Sequence, residues 1–329
     1  MAGAAVRLGF AFVVASAVCR LALACDSTGC LMVTRSAGGM LARKDWRLDV
    51  SFRSTDDRTL MSGSETVTRV IRPKVDFEHG LVRPGFHQDL GGRSSFLQVD
   101  AAYGLTGRTT VVASAPILSR RSYDIGHPPV LTETYETWGV GDTLVAVRHA
   151  LVSQPGFSLM GGVGLELPTG RSRLVSPTAL FDVGVLDPML QPGSGSLDLV
   201  ANLQGSWRLT RGGLDLTGVA SYQANSTNSL DYRYGDDAIA SLALAGPVAA
   251  RLRASVQLKW AHRGRSEFRA RPVASTGATV VYAVPGLVVR LPSRLSLYTF
   301  LPVPVHRYVN EDQLAPRLSL VVGVARTFR

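Results

Sequence analysis

After about residue 45, apolar and polar residues alternate almost one by one along much of this chain. A period of two places successive side chains on opposite faces of a strand. In the first such segment Trp46, Leu48, Val50 and Phe52 share one face, and Asp45, Arg47, Asp49, Ser51 and Arg53 share the other. Near 157–167, Phe157, Leu159, Val163, Leu165 and Leu167 oppose Ser158, Gly162, Gly164 and Glu166. Near 195–209, Leu197, Leu199, Ala201, Leu203, Trp207 and Leu209 oppose Ser196, Asp198, Asn202, Gln204, Ser206 and Arg208. Near 250–263, Leu252, Ala254, Val256, Leu258 and Trp260 oppose Arg251, Arg253, Ser255, Gln257, Lys259 and Arg263. The stretch 276–291 is apolar on both faces, so its orientation is not legible. Several of these segments exceed the roughly five or six residues of a globular strand and suit a tilted membrane crossing.

The connections alternate too. Tight turns near 105–107, 153–155, 211–212, 247–249 and 292–293 alternate with longer loops near 54–93, 119–138, 169–194, 227–233, 264–275 and 307–313. Short periplasmic turns and long outer loops around an even strand count mark a transmembrane barrel. The expected fold is therefore all-β, a transmembrane antiparallel β-barrel of about twelve strands over 45–329 in the bacterial outer membrane. One strand alone fits a soluble sandwich equally well; the ensemble favours lipid on the apolar face and a lumen on the charged one. Trp46, Tyr103, Trp207, Tyr222, Trp260, Tyr298 and Phe328 fall near strand ends, where interfacial rings concentrate.

Residues 1–24 read as a signal peptide: Arg7, an apolar run from Leu8 to Val18 too short to span, then Ala22-Leu23-Ala24 as a cleavage site. Residues 25–44 follow as a periplasmic lead-in. Cys25 and Cys30 then stand in an oxidising compartment and are the disulfide candidate. Lipidation of Cys25 and metal capture by the two thiolates are the other readings, and no His lies nearby to complete a zinc site. No segment offers the 18 or more uninterrupted apolar residues of a spanning helix; the most apolar, 280–289, contains Pro285 and Gly286.

The chain carries a net charge of +10. Export argues against a nucleic-acid partner. Part of the surplus sits in the expected loops, at Arg69, Arg72 and Lys74, at Arg120 and Arg121, at Arg171 and Arg173, and at Arg265, Arg269 and Arg271. These fit either a solvated surface or contact with the phosphates of outer-membrane lipid. The expected lumen carries both signs: Arg148, Arg208, Arg251, Arg253, Lys259 and Arg263 against Asp49, Asp100, Asp142, Glu166, Asp198 and Asp215. Such rings serve as a selectivity filter or as a structural network. If the basic members prevail, the lumen attracts anions.

Two loops are candidate plugs. The loop 54–93 carries Phe77, His79, Phe86, His87 and Asp89, with a metal site shared by His79, His87 and Asp89 as a minor reading. The loop 169–194 is apolar from Ala179 to Leu190 and has three open fates: the pore mouth, the rim or longer strands. No enzyme, metal or cofactor is expected. There is no Gly-x-Ser-x-Gly turn and no phosphate-binding glycine loop, and His149 and His262 fall on outward faces away from any Ser and acid at recognisable spacing.

A series of short motifs carries a resemblance. They are Tyr103-Gly104-Leu105-Thr106-Gly107-Arg108, Gly139-Val140-Gly141-Asp142, Leu167-Pro168-Thr169-Gly170 and Leu190-Gln191-Pro192-Gly193-Ser194-Gly195-Ser196. Later come Thr276-Gly277, Val284-Pro285-Gly286-Leu287, Leu301-Pro302-Val303-Pro304-Val305 and Asn310-Glu311-Asp312-Gln313-Leu314-Ala315-Pro316. In this order, from about residue 94 to the C-terminus, the chain resembles the outer-membrane barrels of the meta-pathway of phenol degradation family. The resemblance implies a pore or uptake channel for small solutes and not a particular substrate; the family's association with aromatic degradation fits small aromatic cargo by analogy, and a lumen in which the basic residues prevail fits anionic cargo. A closed barrel that binds surface lipid or a partner is the alternative, and a lipid hydrolase the third reading. Many such barrels end on an aromatic residue read by the insertion machinery; here Arg329 follows Phe328.

Overall fold

The computed structural model describes residues 40–127, 131–175 and 184–329. The signal segment, Cys25, Cys30 and the lead-in up to residue 39 lie outside the described residues. The strands are β1 (Trp46–Ser62), β2 (Glu65–Thr66), β3 (Val70–Asp76), β4 (Leu81–Gly104), β5 (Thr109–His127), β6 (Leu131–Gly139), β7 (Thr143–Gln154), β8 (Phe157–Leu167), β9 (Asp198–Arg208) and β10 (Asp215–Ala224). Then follow β11 (Tyr232–Arg233), β12 (Asp237–Ala249), β13 (Leu252–Arg263), β14 (Glu267–Phe268), β15 (Arg271–Pro272), β16 (Ala278–Leu291), β17 (Leu295–Phe300), β18 (Val303–Val309) and β19 (Asp312–Phe328).

Neighbouring staves are antiparallel throughout. Strand β5 pairs first with β7 and then with β6, and β16 pairs with both β17 and β18, so each of these pairs forms one broken stave. Twelve staves result, and β1 closes the ring by pairing with β4 on one side and β19 on the other. Closure satisfies every edge amide, which a membrane demands because lipid offers no partner.

The faces are inverted relative to a soluble protein. Leu199, Val256 and Leu258 are 54%, 65% and 58% exposed, whereas Asp49, Asp198 and Lys259 are 5%, 1% and 1% exposed. Apolar side chains ring the outside and charged ones fill the inside, which is stable only with lipid around the barrel. The chain is thus an outer-membrane β-barrel. Ring pairs Trp46–Tyr103 and Phe157–Trp207, 4.5 Å and 4.8 Å apart, mark the short-turn rim, and Trp260 stacks on His262 toward the other end. Tyr298 departs from the interfacial expectation. It turns into the lumen and donates to Asp49 at 2.6 Å, lying over Gly323, where a Cβ would find no room. The doubly apolar stretch 276–291 is explained by a second apolar surface: Val280, Tyr282 and Val284 face inward and pack with Phe300 and Val321.

Three expected loops are largely strand. The loop 54–93 holds the upper part of β1, the short β2 that folds back on it, β3, and the start of β4 on which β3 pairs; 119–138 is mostly β5 and β6; and β18 meets β19 across Asn310 and Glu311. Strand β4 has 24 residues, reaching roughly 80 Å at about 3.3 Å each, far beyond a hydrocarbon core of roughly 30 Å. Outside lipid both strand faces are wet, so alternation fades while Thr, Tyr, Val and Ile keep the chain extended. The hairpin of β3 leans on a three-stranded lid, β11–β14–β15, where Val75 packs with Tyr232, Phe268 and Val273.

Candidate functional site: the barrel lumen

Among the described residues two cavities lie in the lumen, one above the other. The outer, about 340 Å³, is lined from the loop side by Asp57, Asp89, Asp142, Glu166, Asp187, Asp198 and Asp237 against Arg53, Arg72, Arg121 and Arg263. Tyr123, Tyr232, Tyr234, Tyr282 and Phe96 complete its wall. The inner, about 470 Å³, lies toward the short turns and is lined by Arg208, Arg253 and Arg290 against Asp215 alone. The outer lining is therefore formally acidic and the inner one basic.

Side chains fill the waist between them. Val284 and Lys259 are 0% and 1% exposed, and the Lys259 ammonium lies 5.4 Å from the Tyr282 ring centre. Such a cation over a ring face is favourable where water is scarce. Asp49 accepts from Tyr298 there, and Asp100 accepts from Gln98 Nε2 at 2.6 Å and from Ser114. Arg148, opposite Gly162 in the β7–β8 ladder, occupies the space that a Cβ on Gly162 would need.

The outer cavity is roofed by one segment. Pro188–Leu190 forms a single 3-10 turn capped by the Asp187 side chain. Leu186 and Leu190 are buried against Tyr123, Ile125 and Tyr135. Arg121 donates to Met189 O at 2.7 Å, Thr137 to Leu190 O and Tyr234 to Pro188 O at 3.0 Å. Gln191 holds the segment's own loop closed through Leu174 and Leu186. Of the three open fates of the loop 169–194, its described second half takes the first: it drops into the pore mouth. Burial pushes the Tyr232 and Tyr234 hydroxyls above their ordinary pKa, so both stay protonated.

Three of the motifs quoted above meet at the root of this insert. Asp142 accepts from Gly170 N at 2.8 Å and from Ser194 N at 2.5 Å. A Cβ on Gly170 would lie 2.8 Å from Gly193 Cα and 2.9 Å from the Gly141 carbonyl carbon, so the crossing needs glycine. Motifs far apart in sequence form one anchor.

The remaining sequence candidates fall as follows. Asp198 accepts from Ser226 N at 2.8 Å and from Ser196 Oγ at 3.2 Å, and Glu166 accepts from Gln223 Nε2. Arg263 forks onto Asp237 at 2.8 and 2.9 Å. Asp215 takes Arg253 at 2.6 Å and Arg208 at 3.7 Å. Arg251 stands apart: the β12–β13 turn falls at residues 250 and 251, so it sits at the rim and not on a strand face. His79 pairs with Asp76 and Asp89 with Arg72. His149 Nδ1 lies 3.0 Å from Thr109 Oγ1, and His262 Nδ1 lies 2.8 Å from Thr279 Oγ1. Sequence reading missed Arg53, Arg290, Gln98, Gln223 and the roofing tyrosines. The alternation placed Arg53 inward already; Gln98 and Gln223 carried the same inward parity but no charge to draw notice.

No protein-family model matches the sequence, and no curated protein matches it. Among solved structures, an outer-membrane channel from Pseudomonas putida F1 is similar in fold: TM-score 0.58 at 14% identity, covering 88% of this chain and 97% of that one. The NanC porin gives 0.43 at 9% identity over 85% of this chain and 98% of its own. The P. putida toluene transporter TodX gives 0.42 at 9% identity over 90% and 92%. At 14% identity the likeness to the first of these is one of fold, that of an outer-membrane β-barrel.

Proposed function

We propose that this barrel is a channel through which small solutes cross the outer membrane. The observation that carries the reading is the pair of lumenal cavities, one toward each end, divided by a single waist of side chains. A core built only for stability would be packed without such voids. The roofing insert is the gate of this reading: it is held by a few hydrogen bonds and one apolar cluster, not by the barrel ladder.

Within the same reading the cargo is a small, partly apolar molecule, which fits the resemblance to the meta-pathway of phenol degradation family. An apolar stripe supports this, because Val280 and Tyr282 line the outer cavity while Val288 and Phe300 line the inner. Anionic cargo, expected where basic members prevail, fits the inner cavity alone. No hydrolytic or other catalytic role is part of the proposal. Reconstitution in planar bilayers, with swelling of solute-loaded liposomes, tests the channel. Conductance and solute entry are expected; absence of both leaves the closed, lipid- or partner-binding barrel as the better account.

A further inference from the structure

We infer that the outer cavity is a binding site for a small solute carrying a protonated amine. The inference rests on the channel reading for its cargo, but the site stands on its own residues. Glu166 and Asp198 face each other directly across the β8–β9 ladder, both buried and both lining the cavity. Like charges directly opposite are destabilising. Asp142 joins them through Ser194, whose amide donates to Asp142 and whose hydroxyl reaches Asp198 at 3.5 Å. The donors that hold Asp142 and Asp198 are backbone amides and serine hydroxyls, which carry no charge.

A second observation points to the ligand. Gln223, 5% exposed, lines the same cavity and gives its amide nitrogen to Glu166 and Asn225. Because both partners are acceptors, the amide orientation is set, and its oxygen has no partner. A buried amide oxygen without a donor costs free energy that a donor from outside recovers. An ammonium group supplies N–H donors for the Gln223 oxygen and positive charge for a lining in which seven carboxylates outnumber four guanidiniums. Tyr232 and Tyr234 line the same cavity and supply aromatic wall for an apolar body behind the cation.

The test uses three probes of similar size: 2-phenylethylamine, 2-phenylethanol and 3-phenylpropionate. Titration calorimetry on the full barrel and block of its bilayer current are read side by side. The amine is expected to bind and block about tenfold more tightly than the alcohol, and the acid least. Glu166→Gln, checked for folding by heat-modifiable migration, is expected to abolish that preference while leaving the alcohol unchanged. Gln223→Met, which keeps the charge, is expected to weaken the amine by a smaller factor. A barrel that conducts but treats the three probes alike overturns the amine site and leaves the channel standing. A barrel that does not conduct yet binds the amine overturns the channel and leaves the site. A Glu166→Gln protein that folds and keeps full amine preference overturns the assignment to this wall.

Discussion

The two halves of the lumen are built from the same strands and carry opposite charge. Strand β9 enters the outer cavity with Asp198 and leaves through the inner one with Arg208. Strand β13 adds Arg253 below and Arg263 above, but Arg263 is spent on Asp237. The difference teaches that a lumenal charge acts at its own height. Pooled along the chain, the expected inward residues balance, six basic against six acidic; separated by level, the linings form an acidic outer vestibule and a basic inner one. A solute crossing such a path meets two fields, not one, because each is confined by low-dielectric walls. The outer half is also roofed and tyrosine-lined, so in the proposed channel access is controlled there.

The comparison breaks most plainly at the roof. Replacing residues 186–191 by a Gly-Ser linker is expected to raise conductance several-fold, because it empties the outer mouth and leaves the ladder intact. Unchanged single-channel current would move the constriction to the waist around Lys259. The basic inner half is sharpened by Arg253→Gln with Arg290→Gln. Reversal potentials in a salt gradient are expected to shift toward cations, on the order of a twofold change in permeability ratio; a shift toward anions would refute the two-field account.

At the waist, Tyr298→Phe removes the 2.6 Å bond to Asp49 and leaves that carboxylate short of a donor. A loss of about 1–3 kcal/mol is expected, seen as a lower temperature of heat modification with unaltered selectivity. The smallest effect lies on the outer rim. Arg265 forks onto Glu311 at 2.5 and 2.8 Å and holds its carboxyl below the ordinary range; partial burial opposes this, and Ser275 N adds to it. A carboxylate depressed in the folded state stabilises at neutral pH, and that contribution fades as pH falls below about 4.5 toward the folded value. Both side chains are near half-exposed, so the contribution is at most about 1 kcal/mol. Protease cutting within 264–277 is expected to quicken below that pH, and Glu311→Gln to cut quickly at every pH.

The alternation along the chain by itself determined the barrel, the sense of its faces and most inward residues. A period of two under lipid leaves a strand no second choice, since a slip by one residue would turn every charge outward. The signal faded above the membrane, where β4 and β5 run on with both faces wet. It also failed at Tyr298, whose ring suits an interface by composition and was drawn inward by Asp49 and by the space over Gly323. Only the tertiary structure decided which loop roofs the lumen, how Asp142 ties three distant glycine motifs together, and at what height each charge acts. Those depend on contacts between segments far apart in sequence, and on the stagger of staves around a closed ring, neither of which leaves a local pattern to read.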